Sequence, residues 1–174
     1  VRGLEEFGGV DRRLEFKGRH ELEGGAWRVY DDYGHHPTEV TATIAAARAM
    51  ADGGRVVVVF QPHRYSRTAL LYDKFASALA AADRLWLLPI YPASEAPRAG
   101  VDSSLIADAL RLKGYPACEI VPLEKIVAPL VADLRSGDVL LTMGAGDVTT
   151  LGPRVLAAAR FEAPAEAAPA RPRR

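Results

Sequence analysis

Five consecutive residues, Val56-Val57-Val58-Val59-Phe60, run without a polar break. β-Branched side chains are stiff at χ1 and sit poorly in a helix, and a run without alternation suits a strand covered on both faces. Such a strand needs a parallel sheet with helices packed above and below it. The rest of the chain supplies both kinds of element. Strands are predicted over Trp27–Asp31, Arg55–Phe60, Arg84–Leu88, Cys118–Val121 and Asp138–Thr142. Between them apolar residues recur at helical spacing: Val40, Ile44, Ala47 and Ala51 after Pro37, then Leu71, Phe75, Ala78 and Ala82, then Leu105, Ile106, Ala109 and Leu110. Asp102 and Ser103 offer capping chemistry for the third of these helices, which ends near Gly114. Pro129 interrupts a fourth stripe from Leu123 to Leu134, which predicts a kink or two shorter pieces, and Val148 to Arg160 forms a last helix.

The two ends differ. Arg12–Lys17 and Arg19–Glu23 alternate polar and apolar residues around glycines, which predicts an antiparallel hairpin edge. Residues 161–174 are mostly Ala, Pro, Glu and Arg, a tail expected to be disordered. The fold class is therefore α/β: a mostly parallel sheet with helices on both faces and an antiparallel N-terminal edge, in one domain over residues 1–160. With 174 residues, 49% of them hydrophobic, the chain can bury a core without disulfides or a structural metal. Its one cysteine, Cys118, has no internal partner and no companions at metal-ligand spacing, which fits a reducing, cytoplasmic setting. Lys and Arg, 22 in all, balance 22 Asp and Glu without local segregation, so neither nucleic acid nor an anionic membrane is an expected partner. No apolar run is long enough to span a bilayer.

Doubly wound sheets bind ligands beyond the carboxyl ends of their strands. Three loops at that end are chemically dense: Asp31-Asp32-Tyr33-Gly34-His35-His36-Pro37, Gln61-Pro62-His63-Arg64-Tyr65-Ser66-Arg67-Thr68, and Tyr91-Pro92-Ala93-Ser94-Glu95. The first two face one another if their strands are neighbours. Arg64 and Arg67, with His63 beside them, form a forked cationic surface at the start of a helix, whose N-terminus also favours anions; a carboxylate or phosphate is the natural guest. Solvated surface arginines are the plain alternative. Asp32 sits where a carboxylate can accept from ribose hydroxyls, or where it can cap the helix that begins near Pro37. His35 and His36 are adjacent and point apart on any regular element, and with His63 they do not match zinc spacing, so no metal site is expected in this chain.

Gly144-Ala145-Gly146-Asp147-Val148-Thr149 lacks the third glycine of the dinucleotide fingerprint and reads as a tight strand-to-helix turn. That makes a nicotinamide oxidoreductase a poor candidate. No phosphate-cradling G-x-x-x-x-G-K-[ST] loop, G-x-S-x-G elbow or H-E-x-x-H pair occurs.

Taken in order, DDYGHHPTEV, FQPHRYSRT, YPASEAP and GAGDV resemble the C-terminal domain of the Mur ligases, in particular of the branch that joins L-alanine to UDP-N-acetylmuramate. The resemblance runs from about Arg12 to Arg160. It implies a Rossmann-like fold and cytoplasmic, ATP- and Mg2+-dependent amide formation through an acyl phosphate in peptidoglycan synthesis. It also implies partners: the N-terminal and central domains of the same protein, the central one carrying the ATPase loop and metal ligands. On that basis the present chain is the third domain alone, inactive by itself. Residue by residue, the resemblance implies Arg13, Asp32 and Tyr33 for the nucleotide and His35, His63, Arg64 and Arg67 for the alanine. Ser94 and Asp147 depart from the family's usual Gly and Asn while keeping small or polar character. The alternatives are the related ligase domain that returns a tripeptide to the same sugar acid, and a non-catalytic Rossmann-like module binding an anion or nucleotide.

Overall fold

The computed structural model describes residues 12–116 and 118–162. Its elements follow the predicted order: β1 Glu15–Leu22, β2 Gly25–Asp32, α1 Pro37–Met50, β3 Val56–Phe60, α2 Tyr65–Leu79, β4 Arg84–Leu87, α3 Ser104–Leu112, β5 Glu119–Ile120, α4 Val127–Asp133, β6 Val139–Met143 and α5 Leu151–Glu162. A 3-10 turn, Asp147–Thr150, joins the last two. The six strands form one sheet in the order β1-β2-β6-β3-β4-β5, with β1 antiparallel to β2 and every other pair parallel. The expected hairpin edge is therefore the β1–β2 pair.

Every residue of β3 and of β6 is buried, as the unbroken apolar run of β3 requires. Their side chains alternate between two cores. Val56, Val58 and Phe60 pack with Val40, Ile44, Phe75, Leu79, Ile106 and Leu110 from α1, α2 and α3. Val57 and Val59 pack on the opposite face with Trp86, Leu140, Leu130 and Val155, beneath α4 and α5. Each such burial contributes about 1.5–3 kcal/mol, so the central strands anchor both layers.

Three local details resolve expectations from the sequence. Of the two outcomes open for the fourth stripe, the structure adopts two pieces. A turn closed by Lys125 N donating to Pro122 O at 2.9 Å precedes α4, and Pro129 falls in the first turn of that helix, where its missing N–H has no intrahelical partner to lose. For α3, Asp102 Oδ1 accepts from Ser104 N at 2.7 Å, while Ser103 turns its hydroxyl to Leu88 O at 2.6 Å. The final segment begins as the 3-10 turn and continues as α5 to Glu162, two residues into the tail predicted to be disordered. The rest of that tail lies outside the described residues.

Parallel pairing aligns Asp32 with Met143 and Met143 with Phe60. The three central strands therefore end level, and their loops leave the sheet from one line.

Candidate functional site

The Asp32 and Gln61 loops do not arise from neighbouring strands, because β6 lies between β2 and β3. They meet nonetheless, since the connection after β6 stays low. Gly144 N donates to Asp32 O at 3.0 Å, and Gln61 N donates to Met143 O at 2.9 Å. A side chain at Gly144 (φ +143°) would place its Cβ 2.6 Å from Gln61 O, and one at Gly146 would lie 2.6 Å from Tyr91 Cγ and collide with Gln61 Oε1. These glycines serve close approach between backbones, as the tight-turn reading expected.

Over this low saddle four rings form a row. Tyr33 meets His35 edge-on at 5.0 Å, His35 meets His63 edge-on at 5.8 Å, and His63 stacks on Tyr91 at 5.8 Å with 12° between planes. A parallel bridge between His63 and Tyr91 ties the second loop to the third. All three loops singled out in the sequence contribute to the row.

The partners of the two histidines fix their tautomers. A guanidinium only donates, so Arg67 Nη1, 3.1 Å from His63 Nδ1, requires Nδ1 to accept, and the ring proton sits on Nε2. Burial, then the neighbouring Arg67, the His35 ring and Arg64, push the His63 pKa below the ordinary histidine value, which favours its neutral form. His35 has the opposite arrangement. Its Nδ1 lies 3.1 Å from the Tyr33 carbonyl, which only accepts, so Nδ1 carries a proton and, in the neutral ring, Nε2 keeps its lone pair. The two rings thus present one donor and one acceptor. His36 points elsewhere, as adjacency predicted. Its Nδ1 accepts from Thr38 N at 3.4 Å, and Glu39 closes a capping box from inside α1, with Pro37 first in the helix.

Arg64 is exposed and adopts φ 72°, ψ 140°, a conformation rare for a non-glycine residue. Its N–H donates to Tyr91 O at 2.8 Å, and its carbonyl accepts from Thr68 N and Oγ1. At the N-terminus of α2, which the sequence reading offered to an anion, the protein's own carboxylate already takes one amide. Glu95 Oε2 accepts from Ser66 N at 2.9 Å and Oε1 accepts from Ser66 Oγ. Those hydrogen bonds hold the Glu95 carboxyl below the usual carboxylate range.

On the other flank, Asp32 neither caps α1 nor faces open solvent. It is 2% exposed, with Oδ1 accepting from Gly34 N at 2.7 Å and Oδ2 from Leu14 N at 2.9 Å. It braces the start of the first loop against β1, using two of roughly four acceptor directions. Tyr33 beside it is 39% exposed. Arg13 is half exposed and, among the described residues, its guanidinium reaches only Glu39 Oε1, at 3.5 Å. Two residues missed from sequence, Arg12 and Asp31, each lie one position before a predicted one. Arg12 Nε donates to Asp31 Oδ2 at 2.8 Å, Arg12 Nη2 donates to Gly144 O at 2.6 Å, and the guanidinium lies 5.0 Å from the Tyr33 ring centre. Asp31 also accepts from Thr142 Oγ1 at 2.8 Å and Thr149 Oγ1 at 3.0 Å. Opposite it, Gln61 Nε2 donates to Asp147 Oδ1 at 2.6 Å, and Gln61 Oε1 accepts from Val148 N at 3.1 Å. Asp31 and Gln61, from the two strands flanking β6, clamp the loop between them.

A family model for the Mur ligase glutamate ligase domain matches residues 12–146. The chain belongs to the Mur ligase family. Among its relatives is UDP-N-acetylmuramate--L-alanine ligase of Saccharopolyspora erythraea, 51% identical over 166 residues that make up 90% of this chain and 31% of that protein. The ligase of the same name from Mycolicibacterium smegmatis is 48% identical, over 92% of this chain and 32% of that one. The crystal structure of the UDP-N-acetylmuramate-alanine ligase of Thermotoga maritima superposes with a TM-score of 0.70 at 28% identity, covering 92% of this chain and 33% of the other. A murein peptide ligase of Psychrobacter arcticus shares the fold at the same TM-score, with 21% identity. The chain thus spans about a third of the length of the curated relatives it matches.

In this Mur ligase domain no cluster of three or more His, Cys, Asp or Glu arranged for a metal ion occurs among the described residues. No described helix is long and apolar enough to cross a membrane. Burial pushes the Cys118 thiol up, away from thiolate chemistry.

Proposed function

We propose that this Mur ligase domain is the part of an ATP-dependent ligase that receives L-alanine and closes over the nucleotide, the whole protein joining L-alanine to UDP-N-acetylmuramate in the cytoplasm. The observation that carries this reading is the group formed by His63, Arg64 and Arg67 beside His35. It combines the exposed guanidinium of Arg64 and that of Arg67, which bonds the His63 ring, with an Nε2–H donor on His63 and an Nε2 acceptor on His35, the two rings 5.8 Å apart. A guanidinium fork matches a carboxylate, and the His63 Nε2–H adds a neutral donor. The His35 Nε2 lone pair suits the other end of an amino acid, where it can accept a hydrogen bond from the amine or take its proton.

In the proposed sequence, an oxygen of the muramoyl carboxylate attacks the terminal phosphorus of ATP and ADP departs. The alanine nitrogen then attacks the acyl carbon, the amide bond forms, phosphate leaves with the bonding pair of the C–O bond, and the amine proton passes to a base. This domain orients the amine and its carboxylate for the second step. On the opposite flank Arg13 is free enough to swing from Glu39 to a phosphate, and Tyr33 offers an exposed ring to the nucleotide. Asp32, with its remaining acceptor directions, belongs to the same flank, chiefly as the brace that sets Leu14 and Gly34. The metal ligands are assigned to the central domain of the protein, as the family resemblance implies.

The test is Arg64→Ala in the complete ligase. Loss of a charge-assisted bond of about 1.5–3 kcal/mol raises the KM for L-alanine roughly 10- to 100-fold. An unchanged alanine response removes Arg64 from the role. Faster phosphate release with a muramoyl-linking tripeptide than with L-alanine, measured in the same assay, selects the peptide-recycling alternative instead.

A further inference from the structure

Residue 64 is the N-cap of α2, the position at which a helix ordinarily carries Ser, Thr, Asp or Asn to satisfy its first amides. Here it is arginine, which has no acceptor, and no side chain of residue 64 caps the helix. The first turn contains no acidic residue either. The missing acceptor comes from 29 residues downstream, where Glu95 takes both the Ser66 amide and the Ser66 hydroxyl. The same loop holds Arg64 from its other side, through Tyr91 O.

Resting on the alanine-site reading above, we infer that Glu95 is a positioning residue for the carboxylate fork: by capping α2 in trans through Ser66, it lets a guanidinium occupy the cap position and fixes the direction in which Arg64 and Arg67 leave the helix. Three features of the geometry support this. Arg64 keeps a left-handed φ of 72°, which persists only where surrounding bonds over-determine it, and the Tyr91 and Thr68 hydrogen bonds with the Glu95 cap supply that constraint. Ser66 lies between the two arginines and, with Arg64, Arg67, Leu70 and Leu71, lines a shallow depression of about 280 Å³. Filling the helix N-terminus with the protein's own carboxylate leaves the guanidiniums as the place for an incoming one, so the fork and not the helix dipole selects the guest.

The experiment compares Glu95→Ala, Glu95→Gln and Ser66→Ala in the complete ligase, with L-alanine and ATP each varied. Loss of the cap in Glu95→Ala raises the KM for L-alanine about five- to tenfold while kcat and the KM for ATP stay within about twofold. Glu95→Gln, whose amide oxygen still accepts from Ser66 N, returns the KM to within about threefold of wild type. Ser66→Ala, which keeps the backbone bond and loses only the hydroxyl, falls between them. An alanine KM unmoved in all three variants overturns the inference. So does a KM for ATP that rises in step with that for alanine, because that is general damage to the domain. If Glu95→Ala does not fold, the Glu95→Gln and Ser66→Ala ordering still decides. Failure of the wild-type ligase to respond to L-alanine refutes the functional reading itself, a result separable from any of these.

Discussion

Arg12 Nε donates to Asp31 Oδ2 at 2.8 Å, and the acceptor is completely buried while the guanidinium keeps a fifth of its side-chain surface in water. This pair joins the chain just before β1 to the end of β2, and Asp31 passes the connection on to Thr142 and Thr149 in and after β6. Replacing Asp31 with Ala removes the acceptor of Arg12 Nε and of the Thr149 hydroxyl, leaving Arg12 only Gly144 O and Thr142 only a long bond to Tyr30 O. The expected loss is about 3 kcal/mol of unfolding free energy, the low end for a broken buried pair because Arg12 can turn to solvent. Urea denaturation of this chain checks it, and a loss below about 1 kcal/mol would show that the network is not a keystone.

Its neighbour Arg13 has the opposite profile. It is half exposed and 3.5 Å from a partly exposed Glu39, so Arg13→Ala changes stability by no more than about 0.5 kcal/mol. In the complete ligase the same variant raises the KM for ATP with little effect on that for L-alanine. Steady-state kinetics with each substrate varied separates the two, and an unchanged ATP response assigns Arg13 to the surface.

Gly146 is where the β6 loop passes beneath Tyr91. A methyl group there would sit 2.6 Å from Tyr91 Cγ and against Gln61 Oε1, so Gly146→Ala destabilises the chain by about 1–3 kcal/mol, as overpacking does. Because Tyr91 stacks on His63, the substitution also displaces the row of rings. The ring proton resonances of His63 should shift while those of His20, on β1, stay in place.

Nitrogen NMR of the histidine rings tests the tautomer assignment: His63 should show a protonated Nε2 and a bare Nδ1, and neutral His35 the reverse. The His63 pKa lies below its ordinary value of 6.5, chiefly through burial. Just below pH 6.5 the unfolded chain therefore binds more protons than the folded one. The group's contribution to stability is complete above that pH and declines as pH falls toward the native pKa. Wild type should lose more stability than His63→Asn between pH 7.5 and 5.5, and equal losses would show that His63 titrates freely.

How much of the site could be read along the chain follows from the range of the interactions. The loops at the strand ends, the separation of His35 from His36, and Pro37 opening a helix all follow from local spacing. Asp31 and Asp32 did not separate that way, since both end one strand and both are buried. Asp31 became the centre of the network because β6 places Thr142 beside it, 111 residues away in sequence. Asp32 became a backbone brace because β1 brings Leu14 N within 2.9 Å. Capping of α1 went to His36 and Glu39, a pairing that the usual Asp preference hides. The cap of α2 came from Glu95, beyond any local window.

The sequence by itself determined the element order, the two-sided burial of β3 and the grouping of chemistry into loops, because periodicity and β-branched runs act over a few residues. Only the tertiary structure decided that β6 inserts between β2 and β3, which carboxylates brace the loops and which nitrogen of each histidine carries the proton. Those outcomes depend on donors and acceptors far apart in the chain. Their pairing becomes defined only once parallel strands end level and a glycine turn lets the loops above them touch.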